Sequence, residues 1–407
     1  MGEIFDAVGC ECRKGSNKKI KRYNSVNNIN PVRVSDYSSS EMIFSTIIPR
    51  EIYKDQPKNS FLLSKEQLMK KKNFTSREKI FEKYSKISIL GKNNYSIVYK
   101  VRFIIWGNKL QAMKKILKAK VENAEDTKHI INSISNLTNL NHDNLIKLYE
   151  FYEDEKYFYL ITDLCEDISL DKIFIGRKTL CEFIIKFIMY RIFLALNYLH
   201  KQNIFHGDIK ITNIGFYYKE KYRNNNNDIK ISIKDLIDEI CDDVELQEEL
   251  LKENYYENLN FKAKKFILNL SKYEIKLLDC QSQEIFLKNL IDNENADILL
   301  NINYFSPELF DGIVVKERDE WACGILMFKL IKGYYPFDGD DRDELVDDII
   351  KGNISKEIDD LKVSDDCKDL IRKLLEKKHI NRIKVGDCLK HNFFKNGAKF
   401  KSIKKVN

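Results

Sequence analysis

The nine cysteines of this 407-residue chain are scattered, odd in number and nowhere spaced as C-x2-C metal ligands. That argues against a zinc ribbon or a disulfide scaffold, and the thiols suit a reducing compartment, where most act as small apolar residues. No long apolar run is free of charge either. The most apolar stretch, Cys181 to Leu199, is broken by Glu182, Lys186 and Arg191, which predicts a buried helix rather than a membrane span. No cleavable secretory signal is recognisable, so the expected location is cytoplasmic. Charge of one sign is not concentrated: 69 basic and 62 acidic residues interleave to a formal +7. Nucleic-acid binding, which gathers basic charge on one element, is not expected. What remains is the composition of a globular protein, 43% hydrophobic and 32% charged, long enough for two or three compact units.

Residues 1–79 are polar and rich in Ser, Asn and Lys, which predicts a flexible N-terminal extension with one helix around Ser64 to Lys72. From Ile80 the pattern changes. Tyr84 to Leu90 alternates as a strand, a turn follows at Gly91 to Asn94, and Ser96 to Arg102 is a second strand. Leu110 to Leu117, Leu145 to Tyr152 and Tyr157 to Asp163 read as three more, and a helix fits Ala124 to Leu140. After Leu180 the periodicity is helical. Residues 217–273 interrupt it with the run Asn224 to Asn227 and an acidic amphipathic stretch, Asp235 to Glu253. They read as a loop insertion, partly disordered and partly helical. Residues 396–407 form a short tail.

Chemistry is carried by short segments in a fixed order. Ala112-Met-Lys114 lies on a strand after a strand–turn–strand. The run from His142 through Asp163 supplies two further strands. His206-Gly-Asp-Ile-Lys-Ile-Thr-Asn213 places an aspartate, a lysine two residues on and an asparagine five residues on. Ile275-Lys-Leu-Leu-Asp279 ends a strand on a second acid. Ser306-Pro-Glu308, Asp319-Glu-Trp-Ala-Cys-Gly324, Gly333-Tyr-Tyr-Pro-Phe337 and Arg382 follow.

From about Phe81 to Phe394 these segments resemble, in order, the motifs of the protein kinase superfamily, Ser/Thr type. The Leu148 to Asp154 run and the segment from Gly333 to Asp341 look like the calcium/calmodulin-dependent and calcium-dependent protein kinase group. The resemblance implies an α+β, bilobal protein kinase fold, with a small β-rich N-lobe (80–163) and a larger helical C-lobe (164–395). It implies ATP bound among Gly91, Val98, Ala112, Lys114, Thr162 (gatekeeper), Asp163 and Cys165 (hinge), and Mg2+ or Mn2+ on Asn213 and Asp279. Asp208 would orient the Ser or Thr hydroxyl of a protein substrate and Lys210 would neutralise the transferred phosphoryl. Glu308, Asp319 and Arg382 would be structural. The 217–273 insertion should project near the back of the cleft or the hinge, where its acidic helix could dock a partner or stay solvated. No D-x-[DN]-x-[DN]-G loop occurs in the chain, so direct calcium binding is not expected.

The resemblance also has departures. The phosphate-covering G-x-G-x-x-G reads Gly91-Lys-Asn-Asn-Tyr-Ser96, the glutamate expected to orient Lys114 falls at Ser133, the catalytic-loop arginine is Gly207, and D-F-G is Asp279-Cys280-Gln281. The threonine expected near the peptide-binding loop aligns with Asn301. Two readings follow: an atypical or slow Ser/Thr kinase, because Lys114, Asp208, Lys210, Asn213 and Asp279 persist, and a nucleotide-binding pseudokinase acting as a scaffold or allosteric partner. Without the arginine at 207, and with few hydroxyls besides Ser282 and Tyr304 between Asp279 and Glu308, regulation through activation-loop phosphorylation is not expected. At the other end, Gly2, Cys10 and Cys12 precede the basic cluster Arg13, Lys14, Lys18, Lys19, Lys21 and Arg22. This resembles the acylated N-termini of calcium-dependent protein kinases, where myristoyl and palmitoyl groups or basic charge give inner-leaflet contact. Position 6 is Asp6 rather than the preferred hydroxyl, and an unmodified flexible tail is the other reading.

Overall fold

The computed structural model describes residues 77–92, 96–104, 109–118, 134, 137–165, 169–177, 179–223, 230–252, 256–280 and 302–395. The first described element was not expected from the sequence. A short helix, α1 (Arg77–Lys83), precedes the first strand and buries Ile80 completely. The strands then follow closely where alternation puts them: β1 (Tyr84–Lys92), β2 (Ser96–Phe103), β3 (Leu110–Leu117), β4 (Leu148–Glu153) and β5 (Tyr157–Thr162). They form one antiparallel sheet of order β1-β2-β3-β5-β4. Leu145, expected to open the fourth strand, instead makes an isolated parallel bridge to Leu277.

Side chains alternate across a pleated sheet, so the two faces carry separate cores. Ile80, Tyr84, Val101, Met113, Tyr152, Tyr159 and Ile161 pack on one face. Ile134, Leu148, Phe151, Phe158 and Leu160 pack on the other, with Leu137 joining this core to that of the second lobe. Of the helix expected over Ala124 to Leu140, the described residues are Ile134 and Leu137 to Leu140, and Ile134 and Leu137 to Asn139 are helical.

The second lobe is built on α2 (Leu170–Arg177) and α3 (Glu182–Lys201). The latter is the apolar stretch singled out above, and thirteen of its residues are buried. Each charge that interrupts it has a partner. Glu182 accepts from the Ser364 N–H and hydroxyl, both at 2.7 Å, Lys186 lies over the Phe393 ring, and Arg191 approaches Glu274 at 3.5 Å. A 3-10 turn, Ile211–Asn213, leads into β6 (Ile214–Tyr218), which pairs antiparallel with β7 (Tyr273–Leu277). The remaining helices are α8 (Pro307–Phe310), α9 (Arg318–Lys332), α10 (Arg342–Lys351), α11 (Ser355–Asp359), α12 (Asp365–Leu374) and α13 (Val385–Cys388).

Between β6 and β7 the described part of the insertion is helical, as its acidic amphipathic stretch predicts, and it packs on the C-lobe. It contains α4 (Glu220–Arg223), α5 (Ile233–Asp242), α6 (Val244–Lys252) and α7 (Phe261–Ser271). The acidic stretch is two helices, because Asp243 ends the first and its carboxylate accepts from the Leu246 N–H of the second. Their apolar faces (Ile233, Leu236, Ile237 and Ile240; Leu246 and Leu250) are buried in the main C-lobe core, and Phe266 of α7 meets Phe183 of α3 at 6.1 Å. The amphipathic face that suggested a docking helix is thus covered by the chain itself. Arg177 at the end of α2 fastens α5 by pairing with Asp238 at 3.0 Å and with Asp242. The asparagine run lies outside the described residues.

Candidate active site

Strand register alone gathers the first group of site residues. Gly91 opposes Val98, Val98 opposes Lys114, and Ala112 opposes Thr162. Directly opposed residues of an antiparallel sheet share a face, so Val98, Ala112, Lys114 and Thr162 stand together on the face that looks toward the second lobe. A Cβ built on Gly91 would meet nothing within 4 Å, so the described backbone there does not itself require glycine. Asn93 to Tyr95 lie outside the described residues.

The loop from His206 to Asn213 is held from below by one buried carboxylate. Asp319, at the start of α9, accepts the N–H of His206 at 2.7 Å and that of Gly207 at 2.8 Å, and lies 2.9 Å from His200 Nε2. Burial works against its charge, but His200 and these donors outweigh it and hold the carboxyl below its ordinary pKa. Burial likewise pulls the His200 pKa down, and Asp319 with Glu320 overcomes this and holds it raised. Gly207 adopts φ +77°, a left-handed conformation that an arginine would adopt only with strain. The guanidinium of Arg318 donates to the Gly207 carbonyl at 3.0 Å, so a cation still fastens this turn, from beneath. The Tyr304 hydroxyl accepts the Ile211 N–H at 3.3 Å, which commits that buried tyrosine to the loop.

Within the loop Asp208, Lys210 and Asn213 converge. Lys210 Nζ is 3.0 Å from Asp208 Oδ1, and the Asn213 amide donates to the Asp208 carbonyl at 2.9 Å and to Oδ2 at 2.7 Å. Both contacts need the amide nitrogen, so the Asn213 oxygen is left as an acceptor for a cation. The Leu278 N–H donates to the Asn213 carbonyl at 2.9 Å, which docks the end of β7 beside the loop. Asp279 follows in a left-handed conformation, φ +56°, with its carboxylate 2.6 Å from Lys114 Nζ. This ion pair bridges the two lobes. Burial raises the Asp279 pKa, but Lys114, with Lys210 and His206 behind it, holds it below the usual carboxylate range.

Ser133 lies outside the described residues, and the carboxylate that meets Lys114 among those described is Asp279. Cys280 is 5% exposed and sits in the C-lobe core, filling with a small thiol the place where the resemblance expects a phenylalanine. Gln281 and Asn301 lie outside the described residues, as do Gly2, Cys10 and Cys12.

At the hinge, Asp163 is fixed through its side chain: Lys276 at 2.9 Å, the Tyr149 hydroxyl at 2.7 Å and the Lys147 N–H at 3.1 Å. The Thr162 hydroxyl donates to the Asp163 carbonyl at 3.2 Å. Cys165 packs against Gly215, where an added Cβ would lie 2.7 Å from Sγ. Further from the cleft, Arg382 forms a two-pronged pair with Glu308 at 2.7 and 2.9 Å, both residues buried.

Several supporting residues carry no motif of their own. Glu274 meets Lys219 at 2.8 Å, Arg191 at 3.5 Å and the Asn144 amide at 3.3 Å behind the hinge. Glu320 stands where an apolar residue would be unremarkable. It is 1% exposed, accepts the Val385 N–H at 3.1 Å through Oε1, and leaves Oε2 without a hydrogen bond. Burial pushes its pKa up to about 7.

Asn213 and Asp279 suit a magnesium ion, which takes one or two protein oxygens and completes its shell with phosphates and water. No cluster of three acidic, histidine or cysteine side chains able to enclose a metal occurs among the described residues.

The comparisons agree with this architecture. The family profile described as protein kinase domain matches residues 84–256 and 260–394. Calcium-dependent protein kinase 5 of Plasmodium falciparum (isolate 3D7) is 30% identical over 315 residues, 77% of this chain and 45% of the relative. Calcium-dependent protein kinase 3 of Plasmodium yoelii yoelii is 31% identical over 310 residues, 75% and 47%. Calcium-dependent protein kinase 4 of Plasmodium falciparum (isolate 3D7) is 27% identical over 315 residues, 77% and 50%. The chain thus spans about half the length of these relatives. With this profile match, the bilobal fold and the ordered motifs, the chain belongs to the protein kinase family.

Proposed function

We propose that the chain is an ATP-dependent Ser/Thr protein kinase that transfers the γ-phosphoryl of Mg-ATP to protein hydroxyls. The observation that carries this reading is the convergence of Asp208, Lys210 and Asn213 on one turn, with the Lys114–Asp279 pair closing the cleft from the other lobe. Asp208 accepts or orients the substrate hydroxyl, and Lys210, 3.0 Å away, neutralises charge building on the transferred group. Lys114 holds the nucleotide phosphates. Asn213 and Asp279 hold Mg2+ or Mn2+, which supplies charge neutralisation across the phosphates when bound. Lys114 and Asp279, paired with each other at 2.6 Å, are the groups that would hold the nucleotide phosphates and the metal respectively. Because Cys280 is small where a large ring is expected, and position 207 has no side chain, the enzyme is atypical and slow.

Transfer to a mixed protein substrate with Mg2+ or Mn2+, followed by phosphoamino-acid analysis, tests the reading. Phosphoserine or phosphothreonine that disappears in Asp208→Asn supports it; phosphotyrosine, or label that survives the substitution, refutes it. If nucleotide binds and no transfer occurs, the pseudokinase reading stands, with a scaffold or allosteric role.

We also propose an inner-leaflet attachment through acylated Gly2 and Cys10 or Cys12, assisted by the basic cluster. Gly2→Ala should shift the protein from the membrane to the soluble fraction, and unchanged partitioning would refute the myristoyl part. The calcium dependence named for the relatives belongs to proteins of which the matched segment is about half, and the absence of an EF-hand loop motif leads us to propose no calcium site here.

A further inference from the structure

The insertion meets the main C-lobe at a pair of cysteines. Cys181 precedes the first residue of α3, and Cys241 lies in the last turn of α5, sixty residues away. The Cys181 backbone N–H points at Cys241 Sγ at 3.3 Å, and the two thiols are within hydrogen-bonding reach of each other. Both are partly exposed, in contrast to Cys280, Cys323, Cys367 and Cys388, which are buried. Cys241 is flanked on its own helix by Asp238 and Asp242, and both carboxylates are bound to Arg177. The Arg177 guanidinium therefore sits beside the Cys241 sulfur, and its Nε is buried without a hydrogen-bond partner.

We propose that Cys181 and Cys241 are a peroxide-sensitive dithiol that closes to a disulfide and covalently ties the insertion to the C-lobe. The electrostatics favour Cys241 as the attacking group. The hydrogen bond from the Cys181 thiol, then the Cys181 N–H and Arg177, bring the Cys241 thiol down to about 7 against the effect of burial. Cys181 is held protonated by its bond to Cys241 and by burial. The thiolate of Cys241 attacks one oxygen of hydrogen peroxide, the O–O bond breaks, and the departing hydroxide is protonated to water. Cys241 is then a sulfenic acid. The Cys181 sulfur attacks Cys241 Sγ, loses its proton, and displaces the second oxygen as water. Two thiols are oxidised and one peroxide is reduced to two waters. Cys323 and Cys388 are a natural control, since Cys388 lies close enough to act on Cys323 but both are buried and burial pushes both thiols up.

The test uses the full chain, reduced, exposed to a graded series of hydrogen peroxide, alkylated, and mapped by mass spectrometry without reduction. A linked peptide pair containing Cys181 and Cys241, formed before any oxidation of Cys323 or Cys388 and reversed by dithiothreitol, is the expected result. Cys181→Ser should trap a dimedone-reactive sulfenic acid at Cys241, and Arg177→Gln should slow linkage several-fold. Folded wild-type protein that oxidises elsewhere without this linkage would overturn the proposal. So would a Cys241 sulfenic acid that persists while Cys181 remains a free thiol. The wild-type measurement decides by itself should a variant fold poorly.

Discussion

Lys114 illustrates how one residue's role depends on what lies opposite it. The resemblance to kinases calls for a glutamate partner, the sequence offers Ser133, and the ammonium rests instead on Asp279 at 2.6 Å. That pair neutralises two charges in a cleft where either alone would be costly to desolvate. Glu320 is the opposite case, a buried carboxyl with one oxygen left over. Its raised pKa means that its contribution to stability is fully present below the unfolded value near 4.5 and is lost as pH rises through about 7. His200, also raised, acts in the same direction at higher pH. His206, lowered by burial, acts oppositely and weakens the fold as pH falls below about 6.5. Wild type should therefore lose on the order of 2 kcal/mol between pH 5 and pH 8 relative to Glu320→Gln. Paired denaturant titrations at both pH values measure this, and parallel pH profiles for the two proteins would contradict it. The motif residues Asp208, Lys210 and Asn213 were legible because they lie within six positions on one loop. Lys276, Glu274, Asn144 and Glu320 were not, because each acquires its meaning from a segment far away in the chain.

Among elements, the N-lobe strands were legible because alternation marks a sheet with a core on each face, as Met113 and Ile161 on one side and Leu160 on the other record. The helix α1 was missed because seven residues, one of them the deeply buried Ile80, are too few for a periodic signal. The insertion was legible in part, as helices in its amphipathic acidic stretch, but its packing on the C-lobe was not. Its asparagine run and acid-rich stretch look solvated, while the apolar faces of α5, α6 and α7 each contribute only two to five buried residues. Once assembled, those faces join the core around α3. Phe266→Ala should consequently destabilise the C-lobe by about 3–5 kcal/mol, within a single cooperative transition. Calorimetry that showed a separate, early transition for the insertion, with the main one unmoved, would disprove this integration.

At the scale of the whole molecule, the contacts among the described residues that join the two lobes include Leu137 shared between cores, the Asn144 amide on Glu274, Asp163 tied to Lys276, and Lys114 tied to Asp279. Beneath them Arg382 and Glu308 brace the C-lobe, with Arg382 also donating to the carbonyls of Glu317, Glu376 and Lys377. Removing that cation leaves a buried carboxylate without its partner, so Arg382→Ala should cost about 3–5 kcal/mol in denaturant stability. A change within experimental error would contradict the brace.

The measurement closest to the central claim is single-turnover transfer from γ-labelled ATP with magnesium or manganese, wild type against Asp208→Asn. Slow transfer to protein hydroxyls is expected in wild type and none above background in the variant. Silence from both proteins, with ATP still raising the melting temperature, would contradict catalysis and leave a nucleotide-binding partner protein.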